Sequence, residues 1–308
     1  MAVQAAAGHP QYSGNFVPEI WSGKLLVKFY AACVLADISN TDYEGEIKDV
    51  GDKVIIRQVP DIVIRDYQKG ATLIIQRPTA TLKELVIDKA KYFNFICDDI
   101  DKHQSDIKLM NSWSDDAGQQ MGIHVDTGVL GDIYADASAY NKGATAGKIS
   151  GNINLGAAGA PLGVGKATIL EKIVDCRTVL GEQNVPKGSR FLIMPEWMSG
   201  MIMKSDLKDA SLAGDGTSIM RNGRLGVIAE FTLYESNLLT YGTDAAETCF
   251  HAIAGHKSGL SFAAQMTKME SLKAESTFGT LVRGLNVFGY EVLHPESIVD
   301  LYVYNSDV

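Results

Sequence analysis

The sequence predicts an α+β fold, with helical and strand segments segregated along the chain rather than strictly alternating. Three observations carry that expectation. Residues 43–77 are rich in β-branched side chains cut by turn residues. Residues 88–135 contain no proline and space their apolar residues by three, four and seven. Residues 277–303 alternate apolar and polar side chains as sheet does. At 308 residues, 46% hydrophobic and 21% charged, the chain can fill one large domain or two joined ones.

Taken in order, residues 1–19 are small, polar and glycine-containing, and read as an extended arm ending in NFVPEIW. Pro18 pre-sets one dihedral there, ahead of a helix. That helix is expected over 20–37, because Trp21, Leu25, Phe29 and Cys33 recur every four residues. The ribbon 43–77 is expected as a long antiparallel hairpin, with turns at Asp49–Asp52 and Lys69–Gly70. A two-stranded ribbon alone is marginal in water, so a projecting hairpin this long requires support from another chain. A strand is expected at 82–87, then a long helix within 88–135, with breaks permitted at Gly118 or Gly128. About 35 helical residues would span roughly 50 Å.

Residues 143–165 are Gly/Ala-rich and read as a flexible loop or linker. Beyond it come a helix over 167–184, a buried strand RFLIMP at 190–195 and a second helix over 196–207. A loop-strand segment follows over 218–239, and two strands around a Gly-His turn over 247–266.

Composition narrows the chemistry. No apolar run approaches the ~20 residues of a membrane span. The start, MAVQAAAGHPQYSG, lacks the basic and apolar regions of a secretory signal, which predicts a product that stays in the compartment where it is made. Net charge is −9 and there is no Lys/Arg-rich run, which argues against sequence-specific nucleic-acid binding. Cys33, Cys97, Cys176 and Cys249 lie far apart among apolar neighbours and read as buried, reduced thiols. GAPLGVGKAT tempts a phosphate-loop reading. Yet Ala160 stands where that motif needs glycine, and Ala167 replaces the magnesium-binding hydroxyl. His251 and His256 lack further ligands at recognisable spacing and read as structural. Asp98–Asp99 and Asp115–Asp116 are sequence neighbours that point apart on a helix, so they read as a solvated face rather than a catalytic dyad. No nucleophile elbow occurs. The residues therefore predict no enzyme, no cofactor and no metal.

The order of segments carries a resemblance. NFVPEIWSGKLL, YEGEIKDVGDKVIIRQVPDIVIRDY, NGRLGVIAEFTLYESNLL and HAIAGHKSGLSFAAQ together resemble the major capsid (coat) proteins of tailed bacteriophages with the Hong-Kong-97-type fold. The likeness covers most of residues 15–303. It implies an N-terminal arm and first helix (1–41), an extended loop (42–80), a peripheral domain with a long spine helix (81–137 and 250–308) and an axial domain (138–249). It also implies pentamers and hexamers closing into an icosahedral shell around double-stranded DNA, made in the host bacterial cytoplasm. A portal protein, a separate scaffolding protein and a decoration protein are the implied partners, with no membrane. The chain opens almost directly on the arm, which points away from a fused scaffold. The family's Lys–Asn crosslink is not carried over, because only Lys69 near the loop tip has a counterpart.

On this reading the loop lies over a neighbouring subunit. Arg57, Asp61, Arg65, Asp66 and Lys69 pair with charges there, Ile55, Val63 and Ile74 supply burial, and the arm around Phe16 and Trp21 latches onto an adjacent copy. Two other functions fit the sequence. An encapsulin-type shell has the same fold, and a peroxidase or ferritin-like gene neighbour rather than terminase or portal would mark it. A soluble α/β nucleotide-binding enzyme would instead show a thermal shift with ATP and magnesium.

Overall fold

The structure is a computed structural model that describes residues 30–31, 33–43, 53–60, 62–70, 72–99, 109–205, 226–275 and 277–307. Its centre is a seven-stranded sheet. The strands are β4 (Leu162–Val164), β5 (Arg190–Met194), β6 (Val227–Ile228), β7 (Phe231–Glu235), β8 (Tyr241–Asp244), β9 (Glu247–His256) and β12 (Ile298–Asn305). Their order is β4-β12-β9-β5-β7-β6, with β8 also paired to β9. RFLIM forms the middle strand because every residue is buried, as a continuous apolar run sandwiched on both faces must be. Its side chains alternate between two cores. Leu192 and Met194 enter one, Phe191 and Ile193 the other.

The first core lies under two helices, α3 (Ile169–Glu182) and α4 (Glu196–Lys204). Ile169, Ile173, Cys176 and Leu180 fall at three- and four-residue spacing, so one face of α3 is fully buried. The Gly/Ala-rich segment 143–165 closes the same core and corrects the expectation of a flexible linker. Ala146 bridges Ile153, Ala157 bridges Ala160, and Leu155, fully buried, accepts from the Tyr302 amide. Glycine is needed here for close approach. Gly156 has φ +83°, and a Cβ on it would meet the Tyr302 carbonyl at 2.1 Å.

The second core holds one-turn helix α1 (Leu35–Ile38) and the end of α2 (Leu109–Asp132). Val125, Val129, Leu130 and Ile133 bury the C-terminal half of α2 against the sheet. A second, three-stranded sheet extends from this core in the order β10 (Leu260–Lys273), β11 (Gly279–Val292), β3 (Lys89–Asp98). The expected long helix over 88–135 is thus corrected. Residues 89–98 form β3, paired antiparallel with β11, and the described helix is the 24 residues Leu109–Asp132, about 36 Å, with residues 100–108 outside the described residues. Strand and helix remain neighbours, with the Phe95 and Trp113 rings edge to face at 5.9 Å.

Most of the helix expected over 20–37, namely residues 20–29 with Trp21, Leu25 and Phe29, lies outside the described residues. Tyr30, Ala31, Cys33 and Val34 stand outside any helix, and Cys33 is exposed rather than buried. The expected strand-turn-strand at 247–266 is β9, a turn at Lys257–Gly259, and β10. β9 and β12 come from 250–308 and its edge, yet share a sheet with β5 and β7 from the axial range. Among the described residues no helix is long and apolar enough to cross a membrane.

Candidate assembly surface

The extended loop grows from β1 (Lys53–Arg57) and β2 (Leu82–Val86), which pair antiparallel from Lys53↔Val86 to Arg57↔Leu82. The partner of 53–57 is therefore 82–86, not a strand inside 43–77. This corrects the hairpin's register and makes the loop between them longer. In β1, Val54 and Ile56 face inward while Lys53, Ile55 and Arg57 face solvent. Leu85 and Ile87 anchor the base in a small core with Ala263, against which Tyr43, Val54, Ile56 and Val287 pack. β2 crosses β11 at a glycine, Gly289, where a Cβ would lie 2.0 Å from the Val86 carbonyl oxygen. The Gln58 side-chain amide adds a bond to the Leu293 carbonyl (3.3 Å), and Lys53 pairs with Glu84 (3.2 Å).

Beyond Gln58 the loop leaves the body. Its two arms meet at a turn on Lys69–Gly70, where Gly70 adopts φ +88°. Between Val59 and Ile75, eight large apolar side chains are exposed: Val59, Ile62, Val63, Ile64, Tyr67, Leu73, Ile74 and Ile75. Val59, Ile64 and Ile75 are 91%, 89% and 87% exposed. A patch of this kind on a soluble subunit marks a surface that something else covers.

The charged residues expected to act here divide in two. Arg57, Arg65, Asp66 and Lys69 are all exposed, and among the described residues none enters an ion pair within the chain. Arg57 ends β1 and Lys69 sits in the tip turn, so together they mark the whole length of the loop. Asp61, Phe16 and Trp21 lie outside the described residues. Ile55, Val63 and Ile74 are 50%, 60% and 66% exposed, so they contribute little to the chain's own cores.

Sequence reasoning missed the anchor where the arm joins the body. The Asp126 carboxylate, on α2, accepts the amides of Val34 (2.6 Å) and Leu35 (3.2 Å) at the start of α1. Burial pushes its pKa up, opposed by those two bonds. Tyr30 donates to Asp116 on the same helix (2.8 Å), and the Asn40 amide donates to the Leu260 carbonyl (2.8 Å). The only signal in sequence was an acidic residue within an apolar helical stripe.

The residues that tempted a chemical reading have partners inside the fold. β4 lies within GAPLGVGKAT, just before α3, and the Lys166 amide donates to the Asp307 carboxylate at 2.8 Å. A carboxylate of the chain thus occupies one of the amide directions a phosphate would use. His251 stacks between Tyr134 (3.9 Å) and Tyr302 (4.4 Å), with Nδ1 2.9 Å from Asp300. His256 Nδ1 accepts from the Ser258 amide, and burial lowers its pKa. Burial raises the Cys176 thiol to about 12, which suits an inert core residue. Among the described residues no three metal-ligating side chains converge.

A two-core body with a long helix and a projecting apolar loop is the Hong-Kong-97-type capsid architecture, and solved structures share it across nearly the whole chain. A structure from Mycobacterium phage Che8 superimposes with TM-score 0.77 at 25% identity, covering 93% of this chain and 97% of that one. The capsid of cyanophage P-SCSP1u gives 0.75 at 16% identity, covering 94% of each. The mature capsid of bacteriophage PhiM1 gives 0.66 at 14% identity, covering 94% and 92%. The phage capsid protein family model matches residues 83–301, and the chain belongs to that family. Comparison with curated protein sequences finds no match. The protein is a structural component of a phage virion, a subunit of its shell.

Proposed function

We propose that this subunit assembles into pentamers and hexamers that close an icosahedral head around double-stranded DNA, without catalysing a reaction. The observation that carries the reading is the row of eight exposed apolar side chains on a loop fixed only at its base. The loop lies across a neighbouring copy, which covers those side chains. Arg57, Asp61, Arg65, Asp66 and Lys69 set its register by pairing with charges there. Exposed pairs are individually worth ~0–1 kcal/mol, so they choose the position more than they supply affinity. Phe16 and Trp21 on the arm latch a second neighbour.

Each contact is weak. A millimolar contact contributes about −4 kcal/mol, which lets misplaced subunits leave, while many around a closed shell hold it together. The chain's acidity, −9 overall, suits a container that does not grip its DNA. The arm (1–41), loop (42–80), peripheral (81–137 with 250–308) and axial (138–249) divisions are the working map of this subunit. A portal, a separate scaffolding protein and a decoration protein complete its partners, and synthesis is in the host cytoplasm.

Arg65→Glu tests the loop's role. The variant should melt with the wild type, because Arg65 is exposed and, among the described residues, enters no ion pair, yet give few shells in negative-stain micrographs. Normal shells would remove the loop from the assembly mechanism.

A further inference from the structure

Away from the loop, four charged side chains meet at one turn of the central sheet. Ala229 and Glu230 join β6 to β7, both with left-handed backbone at φ 49° and 70°. Arg190, the first residue of β5, holds that turn. Its side chain is 2% exposed, and each guanidinium nitrogen has a partner inside the fold. Nε donates to the Pro186 carbonyl (2.8 Å), one terminal nitrogen to the Val185 carbonyl (2.6 Å) and the other to the Glu230 carboxylate (3.3 Å). Arg190 alone therefore balances the charge of Glu230.

Two more cations converge on the same carboxylate. Arg177, on α3, donates to Glu230 Oε1 (2.8 Å), and Lys187 Nζ lies 3.6 Å from that oxygen on a side chain that is 74% exposed. Three cationic side chains thus share one carboxylate, and two positive charges remain uncompensated. The other carboxylates on these segments are engaged elsewhere. Asp175 pairs with Lys172 (2.7 Å), Glu182 accepts the Ile149 and Ser150 amides, and Glu235 accepts the Ser199 hydroxyl. The surplus is felt within the cluster. Burial lowers the Arg190 pKa, Glu230 opposes that, and the nearby Arg177 charge lowers it further. Like charges gathered at a turn that Arg190 already balances repel one another unless an anion joins them.

The donors left over indicate which anion. Among the described residues the Arg177 side chain makes one hydrogen bond, to Glu230, and the Lys187 side chain makes none. Both cationic heads approach the same Oε1, so they are no farther apart than the sum of those two distances. One tetrahedral oxyanion can contact both, and the planar guanidinium suits paired oxygens. A phosphate with an ionised second oxygen carries close to two negative charges at neutral pH, which matches the surplus, whereas a carboxylate carries one. We infer that Arg177 and Lys187 form a surface site for a doubly charged phosphate group, either inorganic phosphate or a phosphate monoester, on a frame made by Arg190 and Glu230.

The test titrates the full-length protein with inorganic phosphate at constant ionic strength and follows the phosphorus-31 line width. The wild type should broaden the signal saturably, with a dissociation constant of roughly 1–10 mM, the scale of a few exposed charge-assisted contacts. Lys187→Gln changes an exposed side chain, so it should keep the melting temperature and weaken binding about three- to fivefold. Arg177→Gln should weaken it about tenfold, and Arg177→Lys should recover part of that loss. Acetate, added as a competitor, should displace phosphate at least about tenfold less effectively than unlabelled sulfate-free phosphate buffer does, because it brings one charge instead of two. Adenosine monophosphate separates the two sources: competition assigns the site to monoesters as well, and no competition assigns it to the free ion. No saturable broadening with the wild type, equal affinity in the wild type and the Arg177→Gln, Lys187→Gln double variant, or acetate competing as well as phosphate would each overturn the site.

Discussion

At the scale of single residues, the most consequential group away from the loop is Asp126. Its carboxylate is buried and closes two amides that begin α1, so it ties the arm's exit to the spine helix. Asp126→Ala leaves the Val34 and Leu35 amides unpaired and should cost about 1–3 kcal/mol, read as a lower melting temperature. Asp126→Asn keeps one acceptor oxygen and should recover part of that loss. The pH dependence has a definite sign. Burial raises the carboxyl's folded pKa above its ordinary 3.8, so the native state holds its proton more tightly than the unfolded chain. This group's contribution is therefore greatest below 3.8 and falls as pH rises through the folded value. The wild type should gain on Asp126→Asn as pH is lowered through that window. A gap between the two melting temperatures that widens as pH rises would contradict the assignment.

At the scale of elements, legibility followed the clarity of the local pattern. RFLIM announced a buried strand, ATILEKIVDC a helix, and the segment around Lys257–Gly259 its strands and turn. The misses share a cause. Phe93 and Ile96 fit helical spacing, but Phe93, Phe95 and Cys97 also alternate, and KYFNFIC is aromatic and β-favouring. Pairing with β11 decided the competition, and no local property of residues 89–98 encodes that partner. A projecting loop was legible, but its base was not, because Arg57↔Leu82 is a non-local register. The Gly/Ala segment looked mobile because burial of Leu155 against β12 cannot be read from composition. Gly289 shows the same dependence on distant partners, since it is required by a strand two hundred residues earlier. Gly289→Ala should force the Val86 carbonyl away, destabilise the protein by roughly 1–3 kcal/mol and speed amide exchange in 82–86. Unchanged exchange there would mean that the crossing does not hold the loop's base.

At the scale of the whole molecule, stability and assembly reside in different residues. The two large cores use the seven-stranded sheet, its helices and the root of the three-stranded sheet, while the loop carries eight exposed large apolar side chains among the described residues. A subunit built this way can be folded and stable before it meets another copy. The separation makes a sharp prediction for Ile64→Ser with Ile75→Ser. Both side chains are nearly fully exposed, so the double variant should keep the wild-type melting temperature within about 0.5 kcal/mol of stability. On the proposed overlap the shell covers the same side chains, and partial burial of two isoleucines is worth about 1–3 kcal/mol per copy. Losing it should raise the protein concentration at which shells appear by roughly tenfold, at ~1.4 kcal/mol per decade. Light scattering across a dilution series reads that threshold directly. A variant that melts early, with its threshold unmoved, would place these isoleucines in the subunit's own core and leave the loop without a partner to explain it.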